Sequence, residues 1–286
     1  METKTIGTLG TVLLLVAVMA YLVMADTVCT GQDCSVSTSL TVGNATPVIT
    51  EVQSGITITL TAESSVTANV VFNVTDGNGF ADLNDTTAQC IGYKTGEANR
   101  TSTSCTAFGQ SGNDAKYNCS ADFQYFDAAA SDWRWNCSIT DNSLASAFND
   151  TVAFTVNALN FIDENITSFT WSSTSPNTND QEANTAINFD NGGNQDYETA
   201  LVTASNATDG GSNVIPATAF ALNSLTGSPA GIQMNDSTAP AVNISTFFTL
   251  PHGNLSSEDI FAYVDMPTVP SGSYSSLSSW LIDITT

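Results

Sequence analysis

Basic side chains are nearly missing from this chain. Lysine and arginine number 5 among 286 residues, against 28 aspartates and glutamates, and the formal net charge is −23. All five (Lys4, Lys94, Arg100, Lys116 and Arg134) lie in the first half, so the second half carries no cation to neutralise a phosphate. Binding to nucleic acid rests on such cations, and so does docking on an anionic lipid surface; both partner classes are excluded. Histidine occurs once, as His252 in "PHGN". A lone turn histidine supplies no triad, and cysteines that pair with one another leave no zinc set. Neither HExxH nor a glycine-rich phosphate loop is present. The expectation is a chain that is not an enzyme, with no catalytic residues and no cofactor other than the calcium considered below.

Long apolar runs are also scarce: there is one. Val12–Met24 reads "VLLLVAVMAYLVM" behind Lys4, so residues 1–25 read as a signal peptide or a membrane or filament-core helix. Cleavage after Ala25 gives a soluble chain starting at Asp26. Cleavage after Gly7 keeps the helix, which is then the only contact with a membrane. Residues 26–46 form a polar lead-in rich in Thr, Ser and Val.

Six cysteines, an even number, fit an oxidising compartment outside the cell. Cys29 and Cys34, in "CTGQDC", are close enough to close a small loop. Three pairings then remain for Cys90, Cys105, Cys119 and Cys137, of which Cys90–Cys105 with Cys119–Cys137 is the preferred one. Asn-x-Ser/Thr sequons stand at Asn44, Asn73, Asn84, Asn99, Asn118, Asn136, Asn149, Asn165, Asn206, Asn235, Asn243 and Asn254. This is roughly twice what chance supplies in so Asn-, Ser- and Thr-rich a chain, and N-linked glycans on an exported surface are expected.

Two of the sequons, "YNCS" at Tyr117–Ser120 and "WNCS" at Trp135–Ser138, enclose a cysteine. Written as strands, Tyr117, Cys119, Ala121 and Phe123 share one face, and Trp133, Trp135, Cys137 and Ile139 share another. The cysteines point inward and the asparagines outward. The polar stretch between them suits a turn, which makes the two strands a hairpin with Cys119 opposite Cys137. Further strand patterns recur at 55–62, 67–83, 88–94 and 151–159. A second series covers 168–173, 185–189, 199–205, 217–222, 241–250, 259–267 and 278–284, with glycine-rich turns between. The expected class is all-β: two tandem β-sandwiches, residues 47–157 and 158–286, preceded by the hydrophobic segment.

"DGNGFADLND" places Asp76, Asn78, Asp82 and Asp85 within ten residues, with Asn84 among them. Calcium takes six to eight oxygens from such side chains and from carbonyls. The spacing is not that of an EF-hand, and a plain turn held by Asx hydrogen bonds is the alternative.

The stretches "PVITEV", "VVFNVTDGNGFADLNDTTAQC", "YNCSADFQYFDAAASDWRWNCSITDNS" and "NDTVAFTV" together resemble the immunoglobulin-like domains of archaeal cell-surface proteins. "FFTLPHGNLSSEDIFAYVDMPTVPSGSYSSLSSWLIDI" is similar to the closing domain of such proteins. The resemblance implies immunoglobulin-like sandwiches in a structural role, as a subunit of a surface layer or extracellular filament. It brings no catalytic residues. Self-association into a homopolymer follows, through sheet edges and a donated strand, with "CSVSTSLTV" at Cys34–Val42 as the donor. A pilin-like subunit with a retained helix is one variant. A cell-surface adhesin or carbohydrate-binding module, using Trp133, Trp135, Trp171 or Trp280 as stacking platforms, is the rival reading.

Overall fold

Strict alternation builds the first core. In a computed structural model that describes residues 38–235 and 240–286, eight strands form one sheet-like array. They are β1 Val48–Val52, β2 Thr57–Ile58, β3 Ser65–Thr75, β4 Gln89–Tyr93, β5 Arg100–Ser111, β6 Asp114–Gln124, β7 Ala130–Thr140 and β8 Ser146–Val156. Their order is β1-β3-β6-β5-β4-β7-β8-β2. Consecutive β1 and β2 therefore sit at opposite ends of the array, and the chain between them crosses from one edge to the other. The hydrophobic segment 1–25, Cys29, Cys34 and the first part of the lead-in lie outside the described residues.

Alternation along β6 and β7 is the pattern read from the sequence: Tyr117, Cys119, Ala121, Phe123, Trp133, Trp135, Cys137 and Ile139 are all buried. The hairpin is not formed. β6 pairs with β3 and β5, whereas β7 pairs with β4 and β8. The 125–129 connection carries the chain between the two halves, and their faces meet through aromatic rings. Phe123 lies 5.5 Å from Trp133, 5.8 Å from Trp135 and 5.6 Å from Phe154, each edge to face.

The preferred cysteine pairing is corrected with the hairpin. Cys105 is bonded to Cys119 and Cys90 to Cys137. Each pair sits directly opposite across neighbouring antiparallel strands. The partner of Cys119 comes from β5, a strand whose sequence, "RTSTSCTAFGQS", lacks apolar alternation because most of its residues are exposed. A strand with little to bury carries no periodic signal.

Residues 44–286 form one compact unit with two hydrophobic cores, one within 49–156 and the other within 183–264. Around the second core lie short strands: β9 Ile162–Glu164, β10 Thr178–Glu182, β11 Ile187–Asn191, β12 Thr199–Thr203, β13 Ala207–Thr208, β14 Val214–Ile215, β15 Phe220–Asn223, β16 Ile232–Gln233, β17 Val242–Asn243, β18 Ser257–Met266, β19 Ser275–Ser276 and β20 Leu281–Thr285. β18 is the hub, paired with β15, β11 and β10. Of the strands expected here, one is absent and another is cut short. Residues 168–173 have no regular structure, although Phe169 and Trp171 pack on the core. Of 241–250 only β17 is strand. Ile244, Phe248 and Leu250 are fully buried, but Ile244 accepts from the backbone of Phe247 and Phe248, so the segment turns instead of extending. Apolar character reported burial there, not conformation.

The loop after β11, "GGNQ", joins the surroundings of the two cores. Asn194 is buried. Its amide nitrogen donates to the carbonyls of Asp127 and Asn157, both at 2.9 Å, and its oxygen accepts from Leu159 N–H at 2.7 Å. Gly193 lets the loop come this close: a Cβ there would lie 2.2 Å from the Leu159 carbonyl oxygen. From sequence alone this stretch reads only as a glycine-rich turn.

Candidate functional site

Of the four residues proposed as calcium ligands, the fold brings two together and adds a third from elsewhere. Asp76 follows the end of β3, and Asp82 closes a short 3-10 turn, Phe80–Asp82. Asp141 follows the end of β7, tied to this loop by a bridge to Leu83 and by Asn142 N–H donating to the Asp82 carbonyl at 2.7 Å. One carboxylate oxygen from each of Asp76, Asp82 and Asp141 lies within 4.8 Å of the others. Asp76 and Asp141 are fully buried and Asp82 is half-buried.

The remaining candidates are engaged differently. Asp85 accepts from Tyr117 O–H at 2.6 Å, a contact that, after burial, helps push the tyrosine well above its ordinary pKa. Asn78 Oδ1 accepts from Ala45 N–H, and Asn84 Oδ1 caps its own turn at Thr86. The four expected ligands all lie in one loop. Asp141, in "TDNS" far along the chain, gave no signal, because ligand sets that close only in three dimensions have no local spacing.

Hydrogen bonding within the cluster is uneven. Asp141 Oδ2 accepts from Asn44 Nδ2 at 2.7 Å, and its Oδ1 from Ser143 and Ala145 N–H at 2.9 and 2.8 Å. The Asn44 amide, then these two N–H groups, hold the carboxyl below its ordinary range against the opposing effect of burial. Asp76 Oδ1 accepts from Asn78 N–H at 2.7 Å. Its Oδ2 is buried without a hydrogen-bond partner among the described residues, as are Trp135 Nε1 and Asn136 Oδ1. Among these three atoms only the Asp76 oxygen belongs to an ionisable group.

His252 has the carboxylate neighbours that its sequence context did not suggest. Nδ1 lies 2.6 Å from Asp196 and Nε2 lies 3.5 Å from Glu97. With both ring nitrogens facing carboxylates, the imidazole is placed as an ion-pair partner. Desolvation alone would lower its pKa, but Asp196 and then Glu97 outweigh it, and the net shift is upward. A raised folded-state pKa contributes stability that is full below the unfolded value, about 6.5, and is lost as pH rises through the folded value. Thermal melts of the His252→Gln variant are therefore expected to fall furthest below wild type at mildly acidic pH and to converge with it in alkali. A difference that does not change with pH would count against the ion pair.

The tryptophans read as rival sugar platforms are largely turned inward. Trp133 and Trp135 are fully buried. Trp171 and Trp280 are half-buried, and each packs against both Phe169 and Phe220. None of the twelve sequon asparagines is buried, including Asn118 and Asn136 beside their buried cysteines. Comparison with protein-family models gives no match, and comparison with curated proteins gives none either.

Proposed function

We propose that this chain is a structural protein of the cell exterior, a subunit that joins copies of itself by strand addition into a layer or filament. Two disulfides fit an oxidising setting, and accessible sequons fit a glycosylated surface. The observation that carries the reading is the free side of β5. That strand pairs with β6 along most of its length, but β4 takes only Arg100 and Thr101. Beyond Thr101 its second side has no strand partner among the described residues. In a chain of net charge −23, residues 101–113 contain no charge and no proline. Natural edges are normally protected by such residues, and an edge without them is a template for another strand.

Register shifts bracket a regular stretch, Ser104–Phe108, and this is the acceptor. The donor is the lead-in. Leu40 and Val42 stand at alternate positions outside any strand, 89% and 75% exposed, which is the pattern of a strand whose apolar face is filled by a neighbour. Surface-layer or filament architecture, the immunoglobulin-like character of the domains and the pilin-like variant belong to this proposal, the last resting on residues 1–25, which lie outside the described residues.

Sedimentation and negative-stain imaging of the full chain test it. Wild type is expected to form polymers. Ser104→Lys with Thr106→Lys, which charges the acceptor edge, and Leu40→Asp with Val42→Asp, which spoils the donor, are each expected to leave monomers. Polymers formed by the donor variant would reject the lead-in as donor, and polymers formed by both would reject strand addition at β5.

A further inference from the structure

The carboxylates of Asp76, Asp82 and Asp141 converge where nothing described offsets their charge. The ion pairs of the described residues join Lys94 to Asp132, Arg100 to Asp127, and His252 to Glu97 and Asp196. None involves this cluster. Oxygens from three carboxylates within 4.8 Å repel one another, and burial of two of the three residues removes the water that would screen them. A buried carboxylate oxygen with no hydrogen-bond donor among the described residues, such as Asp76 Oδ2, is costly unless a cation or a proton sits against it.

We propose that Asp76, Asp82 and Asp141 bind a calcium ion that clamps one end of the first core. The donors are all hard oxygens, with no cysteine or histidine in the cluster, which suits calcium or magnesium and not zinc. Calcium is favoured because its coordination tolerates irregular sets that mix carboxylates with backbone carbonyls, whereas magnesium demands a near-octahedral shell. The ligands come from both halves of the array: Asp76 leaves β3, and Asp141 leaves β7, which the sheet order places on the other side of the β5–β4 junction.

The ion also bears on the lead-in. Asn44 donates to Asp141, and Ala45 N–H donates to Asn78 in the same loop. The close approach of this segment needs Gly77, where a Cβ would lie 2.9 Å from that of Ala45. Calcium thus fixes Asn44 and Ala45, the first residues of the compact unit. The site does not depend on the assembly reading and stands or falls separately from it.

Calorimetric titration of the chelator-stripped full chain with calcium chloride, paired with thermal melts, tests the proposal. One calcium per chain is expected, in or below the millimolar range of extracellular modules, together with a rise in melting temperature. Asp76→Asn is expected to weaken binding at least about tenfold, the loss of one charged ligand. Without calcium the same variant is expected to melt at or above wild type, because a repulsive charge is gone. A merely structural aspartate would not show this reversal. Asp82→Asn, at a half-exposed position, is expected to lose affinity similarly and keeps the test decisive if Asp76→Asn folds poorly. Asp122→Asn, remote from the cluster, should leave binding unchanged. Absence of binding at millimolar calcium would overturn the site, and so would binding that survives both cluster substitutions. Tighter binding of magnesium chloride would overturn the choice of ion.

Discussion

Replacing Cys90 and Cys137 together by alanine is expected to lower the unfolding free energy by about 4 kcal/mol. The bridge spans 47 residues, and a cross-link restricts the unfolded chain more the longer the loop it closes. Replacing Cys105 and Cys119, only 14 apart, is expected to cost about 3 kcal/mol by the same reasoning. Packing widens the gap, since Cys90 and Cys137 are both fully buried while Cys105 is half-exposed. Equilibrium denaturation of the oxidised variants measures the order directly. A larger loss for the short loop would mean that native packing, not loop closure, governs the effect. Peptide mapping without reduction checks the pairing itself, and a fragment linking Cys119 to Cys137 would overturn the strand order described here.

The second large effect is expected at Arg100. Its guanidinium spans Asp127, with Nε 2.8 Å from Oδ2 and Nη2 against Oδ1, and lies 5.6 Å from the centre of the Phe126 ring. Asp127 has no exposed surface and also accepts from Gln124 N–H at 2.9 Å. Arg100→Ala would leave that carboxylate buried with its charge unmatched, at a cost of about 4 kcal/mol. Arg100→Lys keeps the charge but loses the two-pronged geometry and the ring contact, so an intermediate loss is expected. Arg100→Met combined with Asp127→Asn should recover much of the single-variant loss, because the penalty comes from the stranded charge and not from the missing attraction. Denaturant unfolding across this cycle decides it; additive losses would show that the two side chains are not coupled. The position matters beyond the pair, since the Asp127 carbonyl also receives Asn194 from the loop between the two cores.

The carboxylate cluster came partly into view from sequence. "DGNGFADLND" identified a loop rich in oxygen donors, and Asp76 and Asp82 are in the cluster. Asp85 is not, because Tyr117, inward-facing on β6, takes its carboxylate. Asp141 was invisible for the complementary reason. Nothing near it in the chain marks it as a ligand, and only the bridge between Leu83 and Asp141 brings it to the loop.

By itself the sequence determined the all-β class and which side of β6 and of β7 faces inward. Both are local properties: a pleated strand shows alternate residues to alternate faces, and burial selects apolar ones. It determined too that the sequon asparagines beside Cys119 and Cys137 point away from the core, because neighbours in a strand must oppose. Tertiary structure alone decided which strands are neighbours. Alternation tells a residue's face and is silent on what lies beside it, so β6 and β7, legible as strands, were paired with each other instead of across the core. The deciding strand, β5, is exposed along most of its length and so carries no pattern. Once it lies beside β6, Cys105 faces Cys119 and Cys90 is left to Cys137.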